Sequence, residues 1–265
     1  MSALADRFRA LHERKRCGFI PFVVAGDPNL ETTAALLAGL SELEPAAIEV
    51  GVPFSDPIAD GPVIQRAAQR ALATGTTLQR VLEMLRHQEA ESLAPLVLFS
   101  YYNPIFQFGV DAFSRVAAEC KIAGVLAVDL PAEAAAPLHT SLRERDIDLI
   151  FLVAPTTSDT RLKQIAKLAS GFIYAVARTG VTGTARQLTD ESEQLVRRVR
   201  ALTDVPVAVG FGITNRAQAR RVCRYADAAV VGSRLVAEIE TESATKTTSR
   251  AAIVRKVLEC ARQFA

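Results

Sequence analysis

The sequence predicts a (β/α)8 (TIM) barrel, formed by residues 1–265 as a single domain with an extra helix at the N-terminus. Three observations carry this. Short apolar runs alternate with longer stretches of helical periodicity, the pattern of a parallel sheet. Eight such units fit within 265 residues, the size of a barrel. The first run leads into Ala25-Gly26-Asp27-Pro28 without the G-x-G-x-x-G that a doubly wound open sheet would carry there. Strands are expected at 19–24, 46–51, 96–100, 125–128, 149–153, 172–176, 205–209 and 228–231. Helices are expected at 31–43, 63–72, 78–89, 110–120, 132–145, 160–168, 190–202, 215–225 and 251–263. The polar, Thr-rich stretch 240–249 reads as an exposed turn before the last helix.

Taken in order, four of these strands lead into chemically loaded loops. The second carries Glu49 inside an apolar run, where a carboxylate is costly unless it is paired. Period-two alternation puts Ala47, Glu49 and Gly51 on one face and Ile48 and Val50 on the other, so small residues leave room around the carboxylate. The loop that follows is stiffened by Pro53, Pro57 and Pro62 and holds Asp56 and Asp60. Two carboxyls in one pocket are a common way to divide acid and base roles. Asp60-Gly61-Pro62 reads equally as a turn, and Asp56 before Pro57 reads as a turn former.

After strand six, the segment from Arg178 to Arg186 is small, polar and punctuated by Gly180 and Gly183, which suits either a closing lid or an ordinary loop. Arg178 and Asp56 are the expected partners on closure. Gly210-Phe211-Gly212 follows strand seven and Gly232-Ser233 follows strand eight, the two positions at which barrels bind phosphate. A short helix starting at Ser233 would add its N-terminal partial charge, and Ser233 also reads as a simple N-cap.

Composition excludes other classes. Net charge is +2, and no basic stripe suggests nucleic acid. No apolar run is long enough to span a bilayer, and the N-terminus has no signal-peptide core, so a cytoplasmic protein is expected. Cys17, Cys120, Cys223 and Cys260 lie far apart without metal or redox spacing and are expected to be reduced, structural thiols. No lysine stands at the C-terminal end of an expected strand, which argues against a Schiff base. His12, His87 and His139 fall on helical segments, so neither a metal centre nor a histidine base is expected. The chemistry is left to carboxylates and backbone donors, in a pocket lined by Phe22, Phe99, Tyr101, Tyr174 and Phe211, which otherwise read as plain core.

The stretch E-V-G-V-P-F-S-D-P-I-A-D-G-P, Glu49 to Pro62, resembles the signature of the tryptophan synthase alpha subunit family. Further matching pieces follow in the family's order: Tyr101-Tyr102-Asn103-Pro104, Asp129-Leu130-Pro131, Gly180-Val181-Thr182-Gly183, Gly210-Phe211-Gly212-Ile213 and Val231-Gly232-Ser233. The resemblance implies reversible retro-aldol cleavage of indole-3-glycerol phosphate to indole and glyceraldehyde 3-phosphate. It implies Glu49 as the acid–base group and Asp60 as the partner of the indole N–H. Tyr174 matches a tyrosine beside the glutamate. Gly183, Gly212, Gly232 and Ser233 match phosphate-binding positions. Phe22, Phe99, Leu126, Leu152, Phe211 and Val230 match apolar positions around the indole, and Thr182 matches a lid residue that meets Asp60. The resemblance further implies no cofactor in this chain and an alpha2-beta2 heterotetramer with a beta subunit that carries pyridoxal phosphate. The departures, Pro45, Lys121-Ile122-Ala123-Gly124 and the last helix, touch no position with an implied catalytic role. A free-standing indole-producing lyase, a flavin-binding barrel and a non-catalytic regulator are the alternative readings.

Overall fold

The computed structural model describes residues 2–88, 93–176, 190–210, 212–244 and 249–265. In chain order these form α1 (Ala3–Glu13), β1 (Gly18–Val24), α2 (Leu30–Ser41), β2 (Ile48–Gly51), α3 (Pro62–Ala73), α4 (Leu78–Arg86) and β3 (Leu96–Ser100). There follow α5 (Tyr102–Phe108), α6 (Val110–Glu119), β4 (Ile122–Ala127), α7 (Ala136–Arg143), β5 (Asp148–Val153), α8 (Asp159–Leu168) and β6 (Ile173–Val176). The chain ends with α9 (Asp190–Arg200), β7 (Val207–Gly210), α10 (Arg216–Val222), β8 (Ala228–Val231), α11 (Ser233–Ser243) and α12 (Arg250–Ala261). The eight strands close into one barrel in sequence order, every neighbour parallel, with β1 pairing β8.

Alternation along the strands sorts the core into two layers. Ile48 and Val50 of β2 join the cluster between the barrel and its helices, with Leu36, Leu82, Leu98 and Phe113. Ala47, Phe22, Val97, Phe99, Leu126, Ile150, Tyr174 and Val230 form the inner cluster. The extra N-terminal helix closes the barrel's lower end. Leu4, Phe8 and Leu11 of α1 enter the inner cluster, and Phe8 lies 5.7 Å from Phe172 between ring centres. Helix starts are set locally. The side chains of Ser2, Asn29, Thr77, Ser158, Asn215 and Ser249 each accept an N–H of the first turn, and Pro62 opens α3 where no N–H is required.

Several boundaries differ from the sequence reading. β4 begins at Ile122 because Lys121, at φ 53°, already makes the turn. The stretch 132–145 divides into a 3-10 turn, Ala132–Ala134, and α7, with Pro137 in the first turn of the second piece. Helix α5 was not expected. The 240–249 stretch is not a turn throughout, since α11 continues to Ser243. Glu240 on it accepts both guanidinium forks of Arg66 at 2.7 Å and one of Arg70 at 2.8 Å. Arg70 also grips the buried Asp27 with two bonds of 2.8 Å. These ion pairs bind the end of β1 and helix α3 to α11. Such long-range pairings leave no local pattern in the sequence.

The expectation of four reduced cysteines is also corrected. Cys17 and Cys223 form a disulfide with Cα atoms 5.5 Å apart, across 206 residues of sequence. Cys17 directly precedes β1, and Cys223 ends α10 just before β8. The pairing of Gly18 with Ala228 brings them together, so barrel closure makes the contact that sequence spacing conceals. Cys120 and Cys260 are free and buried.

Candidate active site

Glu49 lies on β2 between Phe22 of β1 and Val97 of β3, with its side chain in the barrel. It is 1% exposed, and neither carboxylate oxygen has a hydrogen-bond partner among the described residues. Burial pushes its pKa up to about 8. The space beside it depends on Gly51, where a Cβ would stand 2.6 Å from Cζ of Phe22. Phe22 packs edge-on against Phe99 with ring centres 5.3 Å apart.

Asp60 ends the proline-rich loop and is 9% exposed. The Tyr101 hydroxyl donates to its Oδ2 at 3.1 Å, and the Ala59 N–H donates to that hydroxyl at 2.9 Å. The Phe54 ring stacks on Tyr101 at 4.9 Å, and Gln65 Nε2 donates to the Asp60 carbonyl at 2.9 Å. Burial raises the Asp60 pKa to about 6, opposed by the Tyr101 bond. Tyr101 was expected only as a pocket wall. Its role in orienting Asp60 was missed, although an aromatic hydroxyl at the end of β3 was the available signal.

Tyr174 lies within electrostatic reach of both carboxyls. Burial first, then the charges of Glu49 and Asp60, raise its phenol well above the ordinary value. Its register neighbours are Leu152 and Ala208. Phe22, Phe99, Leu126, Tyr174 and Val230 share the inner cluster, with half-buried Leu152 packed against it, so these six expected pocket positions do converge. A Cβ on Gly210 would lie 2.0 Å from the Tyr174 hydroxyl oxygen. Gly210→Ala is therefore expected to displace that ring. Activity should fall tenfold or more, and stability by about 1–3 kcal/mol. Steady-state kinetics and a urea melt of the variant check this; unchanged kinetics would separate Tyr174 from the site.

At the mouth, Gly212 has φ 90°, a conformation that favours glycine. Gly232 precedes the eleven-residue helix α11 with no side-chain cap, and a Cβ there would meet Phe22 at 3.2 Å. Ser233, the first residue of α11, is exposed. The helix N-terminus thus opens beside the apolar slot, with backbone donors that suit an anion. Asp56 is exposed and accepts from the Ser55 hydroxyl at 2.5 Å. Arg178, Thr182, Gly183 and Phe211 lie outside the described residues, as does the segment expected to form a lid. Among the described residues no cluster of His, Cys, Asp and Glu could hold a metal ion, and no helix is long and apolar enough to cross a membrane.

Two buried carboxyls, an aromatic slot and a glycine-edged helix N-terminus stand at the top of a closed parallel barrel, the arrangement of a (β/α)8 enzyme. The chain belongs to the tryptophan synthase alpha chain family, whose model matches residues 8–264. It is 50% identical over 242 residues to the tryptophan synthase alpha chain of Trichormus variabilis, covering 91% of each chain. It is 43% identical to that of Neisseria meningitidis serogroup A, covering 99% of this chain and 100% of the relative. The fold is similar to Mycobacterium tuberculosis tryptophan synthase, with a TM-score of 0.89, 33% identity and coverage of 100% and 97%. A structure titled as the tryptophan synthase a2b2 complex from Pyrococcus furiosus matches with a TM-score of 0.84 and 35% identity, covering 93% and 97%. The activity of the family is a carbon–carbon lyase reaction in tryptophan synthesis, the reversible cleavage of indole-3-glycerol phosphate.

Proposed function

We propose that Glu49 and Asp60 carry this cleavage, with residues 1–265 acting as one barrel domain. The observation that supports it is the separation of their pKa values by environment, about 8 and about 6. At neutral pH Glu49 is a neutral acid and Asp60 an anion. Glu49 protonates C3 of the indole and, as a carboxylate, then takes the side-chain hydroxyl proton while the carbon–carbon bond breaks. Asp60, held by Tyr101, accepts the indole N–H and stabilises the cation that C3 protonation creates. The electron sink is the indole ring itself. Phe22, Phe99, Leu126, Leu152, Phe211 and Val230 enclose that ring, and Tyr174 fixes the wall beside Glu49. Gly183, Gly212, Gly232 and Ser233 hold the phosphate through backbone N–H groups.

The protein works in the cytoplasm as the alpha subunit of an alpha2-beta2 complex. It carries no cofactor, and the pyridoxal phosphate belongs to the beta subunit that receives the indole. Exposed Asp56 lies on the loop leading to Asp60. A partner on the barrel's C-terminal face would act through that loop and through Arg178 and Thr182 to favour a closed site. A gain of one to two orders of magnitude needs only about 1.4–2.7 kcal/mol of differential stabilisation. Indole formation by the purified chain should therefore rise 10- to 100-fold with cognate beta subunit. Full activity alone, with no acceleration, would assign a free-standing lyase, and absence of indole under both conditions would overturn the reaction.

A further inference from the structure

The Cys17–Cys223 bond lies at the opposite end of the barrel from the carboxyls, before the first residues of β1 and β8. Cys223 is exposed and Cys17 half-buried, so an attacking group reaches the bond from solvent. The surroundings are strongly cationic. Arg14-Lys15-Arg16 run up to Cys17, and Arg216, Arg220, Arg221 and Arg224 surround Cys223 in sequence, with no acidic residue in either segment. The four arginines line one shallow concavity with Ala217. Two acids of this end of the barrel each face an arginine. Asp227 accepts from Arg200 at 2.8 Å and from the Val207 N–H at 2.8 Å, and Glu44 lies 4.0 Å from Arg16.

We propose that Cys17 and Cys223 form a reversible thiol–disulfide site that exchanges with an anionic low-molecular-weight thiol, and that its oxidised form staples the seam where the barrel closes. Cations beside a cysteine favour the thiolate, both as nucleophile and as leaving group. They also concentrate an anionic reactant. In the reductive direction a thiolate carrying carboxylates attacks Sγ of exposed Cys223. The bonding pair of the disulfide leaves with Sγ of Cys17, and a mixed disulfide forms on Cys223. A second thiolate attacks the sulfur of the bound small thiol, releasing Cys223 as thiolate and one small-molecule disulfide. Two small thiols are oxidised and the protein disulfide is reduced by two electrons. Oxidation is the reverse, with the small-molecule disulfide as oxidant. A link across 206 residues restricts the unfolded chain, whereas the catalytic carboxyls at the far end are untouched.

The test uses the whole chain with glutathione, which is anionic, and cysteamine, which is cationic, at matched thiolate concentrations. Loss of the bond is followed by alkylation and peptide mapping. Glutathione should reduce the bond about tenfold faster at low salt, with the advantage shrinking at high salt. Arg220→Ala with Arg224→Ala should remove most of that advantage. The oxidised protein should melt about 5–15 °C above the reduced protein and above Cys17→Ser, with indole formation unchanged in all three. Failure to recover a Cys17–Cys223 peptide from glutathione disulfide buffer would overturn the site. Equal rates with the two thiols would overturn the role of the cations, and equal melting of oxidised and reduced protein would overturn the staple.

Discussion

Glu49→Gln should lose indole formation by a factor of about 10²–10⁴ or more while keeping its affinity for substrate. The amide preserves the shape of the side chain between Phe22 and Val97 and removes the proton that the proposed mechanism assigns to Glu49. The same substitution should stabilise the fold. In the wild type the folded-state pKa of about 8 stands above the ordinary 4.5, so between those values the folded protein holds a proton that the unfolded chain releases. Stability then falls as pH rises through this window, by about 1.4 kcal/mol per unit, to a loss of order 3 kcal/mol at pH 7. The Gln variant lacks that slope, and chemical denaturation at pH 5 and pH 8 measures it. Activity gives an independent reading. The proposed roles require a neutral Glu49, which holds below about 8, and an ionised Asp60, which holds above about 6, so kcat/KM should form a bell between these limits. Near-wild-type turnover in Glu49→Gln would remove this residue from the mechanism.

Ser233→Asp should weaken phosphate binding severely, and Ser233→Ala only modestly. Ser233 opens α11, and Gly232 before it offers no side-chain cap, so in the proposed phosphate site the backbone N–H groups of the first turn are the donors. Removing the hydroxyl leaves those donors in place. A carboxylate there competes for the same donors and repels the phosphate, although it would favour the helix itself. The comparison thus separates ligand binding from helix stability: the Asp variant should fold at least as stably and bind substrate worst. Competition by glycerol phosphate against substrate measures it. Equal affinities in the two variants would place the phosphate elsewhere.

Much of this was legible from local pattern. The eight strands appeared as apolar runs because a strand covered on both faces needs little polar surface. The expected runs 96–100 and 228–231 match β3 and β8 in full. Glu49 stood out as a carboxylate inside such a run, and alternation placed it in the barrel with Ala47 and Gly51. The ends of elements were less legible. The turn at Lys121, the 3-10 turn before α7 and the continuation of α11 to Ser243 depend on what each segment packs against.

What the sequence determined by itself was the order of the strands and helices, the face on which Glu49 points, and the glycines that follow β7 and β8. Each follows from covalent neighbours and side-chain periodicity. Only the tertiary structure decided which distant groups meet. Tyr101 orients Asp60, Tyr174 lies within the influence of both carboxyls, Glu240 joins Arg66 and Arg70, and Cys17 bonds to Cys223. The pKa values were decided there too, because they depend on burial from all sides. These contacts are absent from any local window, since closure of the barrel between β1 and β8 is what brings residues far apart in sequence to within bonding distance.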